Sequence, residues 1–114
     1  MVDHALTSTC SGLIAAGQVR QEILENRPEV GALAGITMMG AGARTDQLRH
    51  DVEEMVYFVE GELEVTVENN TRTAQAGQFL TIPRECWHSF RNDSGAPARM
   101  LYVFAVSAPR TDRR

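Results

Sequence analysis

GARTDQLRHDVEEMVYFVEG, residues 42–61, is the most informative stretch of this chain. His50 stands in the middle of it, two adjacent carboxylates follow, and a run rich in β-branched and aromatic residues leads to a glycine, Gly61. Such a run is typical of a β-strand, and glycine permits the positive φ of a tight turn. The stretch therefore predicts one short strand over residues 47–50 and another over residues 55–59, joined by a bend.

A second stretch, GQFLTIPRECWHSFRN at residues 77–92, carries another histidine in a comparable setting. A proline precedes the predicted strand over residues 86–91 and fixes the entry of the chain into it. Because side chains alternate along a strand, residues two apart share a face. The residues that share a face in this way are Leu48 with His50 in the first stretch, and Cys86, His88 and Phe90 in the second.

The rest of the chain consists of short strand patterns separated by turn signals. Residues 62–68, ELEVTVE, alternate apolar and polar side chains, as a half-buried strand does. No stretch predicts a long helix, so an all-β sandwich or barrel follows. We expect one domain with its core at about residues 18–106, and less order in residues 1–17 and in the polar tail, residues 107–114. The predicted strands cover residues 19–24 (ended by a turn at 25–28), 30–39, 47–50, 55–59, 62–68, 71–75, 79–82, 86–91 and 99–106.

The composition excludes several classes of protein. The chain has 114 residues, of which 43% are hydrophobic and 23% charged, and its net charge is −4. This composition fits one globular domain and argues against disorder, and a negative charge argues against nucleic acid as a partner. No apolar run approaches the roughly 18 residues of a membrane-spanning helix. No basic and apolar signal sequence is evident, so we expect a cytoplasmic location.

Two histidines and one carboxylate stand where neighbouring strands would bring them together. Glu54 follows His50 by four residues around the predicted bend, and His88 lies in another strand. On neighbouring inward faces these side chains would form a 2-His-1-carboxylate site for a divalent metal, with coordination positions left open. The adjacent Glu53 should point away into solvent.

The spacing of these residues resembles that of the cupins, a family of small conserved β-barrels with two signature motifs. In the first motif, Leu48 stands where the family has its first histidine, and in the second, Glu85 replaces the middle glycine. The positions that match are Gly42, His50, Glu54, Gly61, Gly77, Pro83, His88 and Asn92. The resemblance extends over about residues 30–106 and implies a jelly-roll-like barrel, also described as a double-stranded β-helix.

The resemblance also implies a set of metal ligands. Cupins that bind metal typically use three histidines and one glutamate, of which His50, Glu54 and His88 are present here. Leu48 removes one ligand, which either opens a coordination position for substrate or marks a cupin that has given up its metal. Three donors can still hold a divalent ion such as iron, zinc, manganese or nickel. Cys86 is either a soft fourth donor or an inert packed thiol.

Cupins of this size include dioxygenases, isomerases, cyclases and lyases as well as simple binding domains, and the fold alone does not choose among them. Our first hypothesis is a metal-dependent enzyme acting on a small, partly apolar organic substrate, in a pocket lined by Leu48, Phe58 and Phe90. The alternatives are a non-catalytic module that binds a small ligand, with or without metal, and a structural dimerisation domain. A small barrel leaves sheet edges exposed, so we expect a homodimer that covers them.

Overall fold

A computed structural model describes residues 14–114 of the chain. Residues 1–13, most of the segment in which less order was expected, lie outside the described residues. Within the described range the structure contains ten strands, one 3-10 helix and no α-helix, which confirms the all-β class. The elements are β1 (Val19–Arg27), the 3-10 helix (Pro28–Val30), β2 (Ala32–Met39), β3 (Leu48–His50), β4 (Glu54–Glu60), β5 (Glu62–Val67), β6 (Asn70–Gln75), β7 (Phe79–Ile82), β8 (His88–Arg91), β9 (Ala98–Phe104) and β10 (Thr111–Arg113).

The strands form two five-stranded antiparallel sheets. The order in the first sheet is β1-β2-β9-β4-β7, and the order in the second is β10-β3-β8-β5-β6. The chain crosses repeatedly from one sheet to the other, as in a jelly roll. Strands β4 and β9 of the first sheet contribute to the same core as β5 and β8 of the second.

The apolar core lies between the two sheets. Leu63 and Val65 of β5 are only 1% and 4% exposed, whereas Glu62 is on the surface. This alternation confirms the half-buried strand that the pattern ELEVTVE predicts. Other core residues are Met39, Val56, Phe58, Ile82, Phe90, Met100, Tyr102 and Phe104.

Gly35 leaves room for the Tyr102 ring on the neighbouring strand. The two residues are partners between β2 and β9. A Cβ atom at position 35 would lie 2.3 Å from the Tyr102 hydroxyl oxygen, so a side chain there would displace the phenol. A glycine inside a strand often marks a close approach of this kind.

Strand β1 is longer than predicted. It continues to Arg27, through the residues that were expected to turn, because it pairs with β2 along its length across a bulge between Ile23 and Glu25. The chain turns instead in the 3-10 helix, Pro28–Val30, which is followed by Gly31 with φ +63°. Strand β8 begins two residues later than predicted, at His88.

Residues 107–114 form the segment in which the sequence predicted no strand and less order. They include β10, which pairs with β3 and thereby adds an edge strand to the second sheet. The polar side chains of this segment form ion pairs on the surface. The segment has no alternation of apolar and polar residues, so its sequence did not predict a strand.

Asn92, a match to the second motif, is fully buried. Its amide group donates to the carbonyl oxygens of Met39 at 3.0 Å and Ala96 at 2.7 Å. Its Oδ1 accepts from the backbone N–H and the hydroxyl of Ser94, at 3.0 and 2.8 Å. Asn92 thus caps the turn after β8 and also bonds to β2 in the other sheet.

Replacing Asn92 with alanine is expected to lower the free energy of unfolding by about 2–3 kcal/mol, because buried carbonyl and N–H groups lose their partners. Urea unfolding followed by circular dichroism measures this loss. The matched control is Asn69→Ala at an exposed position, which should stay within about 0.5 kcal/mol of the parent chain. Equal losses in both variants would contradict the role given to Asn92.

Candidate metal centre

Three buried polar side chains meet between the two sheets. His50 is the last residue of β3, Glu54 the first of β4 and His88 the first of β8. Strands β3 and β8 belong to one sheet and β4 to the other, so the cluster spans both. The exposed fractions of the three residues are 7%, 7% and 2%, so bulk water has little access to their side chains.

The three side chains converge on one carboxylate oxygen. Glu54 Oε1 lies 3.4 Å from His50 Nε2 and 3.2 Å from His88 Nε2. One possible ligand atom from each residue falls within 4.8 Å of the others, a spacing at which they could hold a metal ion. Two imidazole nitrogens and a carboxylate oxygen suit iron, zinc and other divalent transition metals.

The outer nitrogen of each imidazole fixes its tautomer. His88 Nδ1 lies 3.0 Å from the Cys86 carbonyl oxygen, and His50 Nδ1 lies 3.2 Å from the Arg110 carbonyl oxygen. A carbonyl oxygen only accepts hydrogen bonds, so in each neutral ring the proton is on Nδ1. The Nε2 atoms then present lone pairs to Glu54, which is how metal-binding histidines are usually held.

This arrangement leaves buried polar atoms without hydrogen-bond partners. Among the described residues, Glu54 Oε1 and His88 Nε2 are both buried and make no hydrogen bond. Burying such acceptors against one another is costly, and a cation between them would satisfy both. The donor set therefore fits a divalent metal on the ground of this geometry.

The carboxyl of Glu54 is held in its charged form. Burial by itself raises its pKa, but the imidazoles of His50 and His88, when they carry a proton on Nε2, outweigh burial and lower the pKa below its ordinary value. The group is therefore ionised at neutral pH, as a metal ligand must be.

A cavity of about 290 Å³ adjoins the cluster. Leu48 and Phe90, both expected to line a pocket, lie in its wall together with Met100 and Phe104. Residues with polar side chains also line the cavity, among them Gln21, Thr37, Thr45 and Tyr102.

Phe58 and Cys86, also expected beside the metal ligands, line no part of this cavity. Phe58 lies further along β4 and borders a larger cavity of about 650 Å³ between the outer strands. Cys86 precedes β8, where the alternation that would turn it inward does not yet apply. Burial, and then the charge of Glu68, raises the pKa of its thiol, and Cys86 is not part of the cluster of possible ligand atoms formed by His50, Glu54 and His88.

Tyr102 and Thr111 are among the site residues that were not predicted from the sequence. Tyr102 lines the cavity from β9. The sequence feature that could have indicated its position is Gly35, its partner on β2. Burial, and then the charge of Glu54, raises the pKa of Tyr102, so its phenol stays protonated at neutral pH. Thr111 contacts His50 from β10, and no pattern in the tail pointed to it.

Glu53 is exposed, as expected for the neighbour of an inward-facing residue.

Among residues 14–114 the structure contains no helix that is both long and apolar enough to cross a membrane.

Comparison with known proteins places this geometry in a family. The sequence model of the cupin domain matches residues 35–104, more than half of the chain. A relative named polyketide synthase CurC, from Streptomyces cyaneus, is 39% identical over 77 residues, which are 67% of this chain and 50% of that protein. The chain spans about half the length of the curated relatives it matches first.

Solved structures share the fold at low sequence identity. The polyketide cyclase RemF from Streptomyces resistomycificus superposes with a TM-score of 0.75 at 18% identity, over 89% of this chain and 75% of that one. A recombinant oxalate oxidase in complex with glycolate gives a TM-score of 0.76 at 19% identity, over 93% of this chain and 59% of that one. Because the family model covers the strands that carry all three clustered side chains, the chain belongs to the cupin family.

Proposed function

We propose that this cupin binds one divalent metal through His50, Glu54 and His88 and acts on a small, partly apolar substrate that carries carbonyl oxygens. The observation that carries the proposal is that the buried Glu54 Oε1 makes no hydrogen bond and lies 3.4 and 3.2 Å from two imidazole nitrogens. A cation held between these atoms would relieve the cost of burying this oxygen without a partner. Leu48, in place of a further histidine, leaves a coordination position for the substrate.

The proposed reaction class is the cyclisation of a polyketide chain. A bound divalent metal supplies Lewis acidity toward a carbonyl oxygen. The protonated phenol of Tyr102, which lines the cavity, would donate a hydrogen bond to a second substrate oxygen, and Leu48 and Phe90 would contact the carbon skeleton and exclude water. The names of the sequence relative from Streptomyces cyaneus and of the solved cyclase support this class.

The size of the cavity limits the substrate. A volume of about 290 Å³ lies at the lower end of the range for small-molecule sites, which is about 300–1,000 Å³. It favours a compact substrate, or one end of a longer chain, over a fused polycyclic molecule.

The proposal is tested first by metal content. Protein purified without chelator should contain about one equivalent of a divalent metal, and metal-free protein should gain thermal stability when Fe(II), Zn(II), Mn(II) or Ni(II) is added. A metal at 100 times its dissociation constant stabilises the folded state by about 2.7 kcal/mol. Less than about a tenth of an equivalent, with no gain on adding any of these ions, would overturn the proposal.

A second arm separates an enzyme from a binding module. A 1,3,5-triketone can close to a dihydroxybenzene by forming one carbon–carbon bond and losing one water. Chromatography of the products should show this ring closing faster with metal-loaded protein than with the metal-free form. If the loaded protein binds the triketone without converting it, the non-catalytic module is the correct alternative.

The homodimer expected from the sequence remains a proposal, as does the cytoplasmic location. Ile23 is 60% exposed on the edge strand β1, which has β2 as its partner in the first sheet. An apolar side chain on an edge strand supports pairing with a second copy of this chain across a two-fold axis.

A further inference from the structure

His50 depends on a segment about sixty residues further along the chain. Its Nδ1 lies 3.2 Å from the Arg110 carbonyl oxygen and 3.1 Å from the Thr111 hydroxyl oxygen. The carbonyl requires Nδ1 to be the donor, and the hydroxyl oxygen offers it a second acceptor. Both contacts hold the ring in the tautomer and rotation that aim Nε2 at Glu54.

Residues 107–114, here called the strap, are anchored on both sides of these contacts. Strand β10 pairs Thr111 with His50 in the sheet, and the Arg110 N–H donates to Asp51 Oδ1 at 3.0 Å. Side chains add further anchors. These are the ion pairs Asp112–Arg49 at 3.0 Å and Arg110–Glu85, and the cation–π contact of Arg114 with Trp87 at 4.3 Å.

The other histidine is fixed without the strap. His88 Nδ1 bonds to the carbonyl oxygen of Cys86, two residues away in its own segment. The same chemistry therefore orients both imidazoles, but only at His50 does it come from a distant part of the chain. The strap also lines the cavity, where Ser107, Ala108 and Pro109 form part of the wall.

We propose that the strap is a positioning element for the metal centre, and that Thr111 is the side chain through which it orients His50. The inference rests on the proposed function, because it assigns a supporting role to a metal ligand. Partners of this kind typically contribute a factor of 10–100 in metal affinity. The pairing of the strap with β3 and the affinity of the site for metal are therefore coupled.

Calorimetric titration of the full chain with Zn(II) tests the proposal. Thr111→Val, which keeps the shape of the side chain but removes the hydroxyl, should weaken binding by about tenfold, since the Arg110 carbonyl remains. Thr111→Ser keeps the hydroxyl and should bind within about twofold of the parent chain. The exposure of position 111 makes both variants compatible with folding, and circular dichroism checks that they fold.

The ¹⁵N spectrum of the imidazoles in metal-free protein gives an independent readout. We expect a hydrogen-bonded proton on His50 Nδ1 whose exchange with water is faster in Thr111→Val, with the His88 signal unchanged. Equal zinc affinities and equal His50 signals in the parent chain and Thr111→Val would overturn the role of Thr111 and leave the proposed metal site standing. If the parent chain binds no zinc, the proposed function fails, while the effect of Thr111→Val on the His50 proton still decides whether the strap orients that ring.

Discussion

Glu54→Gln is expected to weaken Zn(II) binding by more than about 100-fold. This loss is larger than the loss of affinity caused by removing a residue that only hydrogen-bonds to a metal ligand. The carboxylate supplies the negative charge of the cluster, and a glutamine amide replaces it with a neutral group of the same shape. Its N–H groups can donate to the imidazole nitrogens, which lie 3.4 and 3.2 Å from Glu54 Oε1. The metal-free variant should therefore fold normally, and calorimetric titration measures the loss of affinity.

Glu53→Gln is the matched control for this variant. It makes the same chemical change one position earlier, at a residue whose side chain is exposed. Its zinc affinity should stay within about threefold of the parent chain, because an exposed charge is screened by solvent. If the two variants lose affinity equally, the effect is one of overall charge and Glu54 is not a ligand.

The fold could be predicted because its signals are local. The alternation in ELEVTVE placed Leu63 and Val65 in the core, and the spacing of glycines and histidines put the two motifs in register. Local geometry also explains why the family has glycine at the position of Glu85. The backbone there has φ +61°, a conformation that favours glycine and that Glu85 adopts in this chain.

The strap could not be predicted because its signals are tertiary. Thr111 and Arg110 contact His50 across about sixty residues of sequence, and nothing in a polar tail indicates which strand it will join. Glu85 illustrates the same limit, since its carboxylate forms an ion pair with Arg110 that only the folded chain brings together. Residue spacing identified the three clustered side chains, whereas the contacts that hold one of them come from topology.

The sequence predicted that Phe58 lines the same pocket as Leu48 and Phe90, and geometry explains why it lies outside that cavity. Phe58 shares the inward face of β4 with Glu54, but it lies four residues further along the strand. At about 3.3 Å per residue this is roughly 13 Å, which takes its ring out of the cavity beside the histidines. Sharing a face is therefore a necessary condition for lining a site, and the distance along the strand decides which cavity a residue borders.

Leu48→His is expected to strengthen Zn(II) binding by about tenfold to a hundredfold, the reverse of the effect at Glu54. Leu48 shares a face with His50, is the partner of His88 between β3 and β8, and lies in the cavity wall. Partner residues across antiparallel strands have Cβ atoms about 4.5–5.5 Å apart, so an imidazole at position 48 reaches the cluster. Calorimetric titration measures the gain, and Leu48→Phe controls for adding a ring without a donor.

The same substitution separates affinity from catalysis. In the proposed enzyme, the position that Leu48 leaves open is where the substrate binds, so a fourth protein ligand should slow ring closure of the triketone by about tenfold or more while metal binding tightens. Combining Leu48→His with Glu54→Gln should restore part of the lost zinc affinity, since both side chains would act on one ion. A Leu48→His protein that binds zinc no better than Leu48→Phe would show that position 48 does not face the metal. One that binds zinc more tightly and closes the ring as fast as the parent chain would show that the substrate does not use this coordination position.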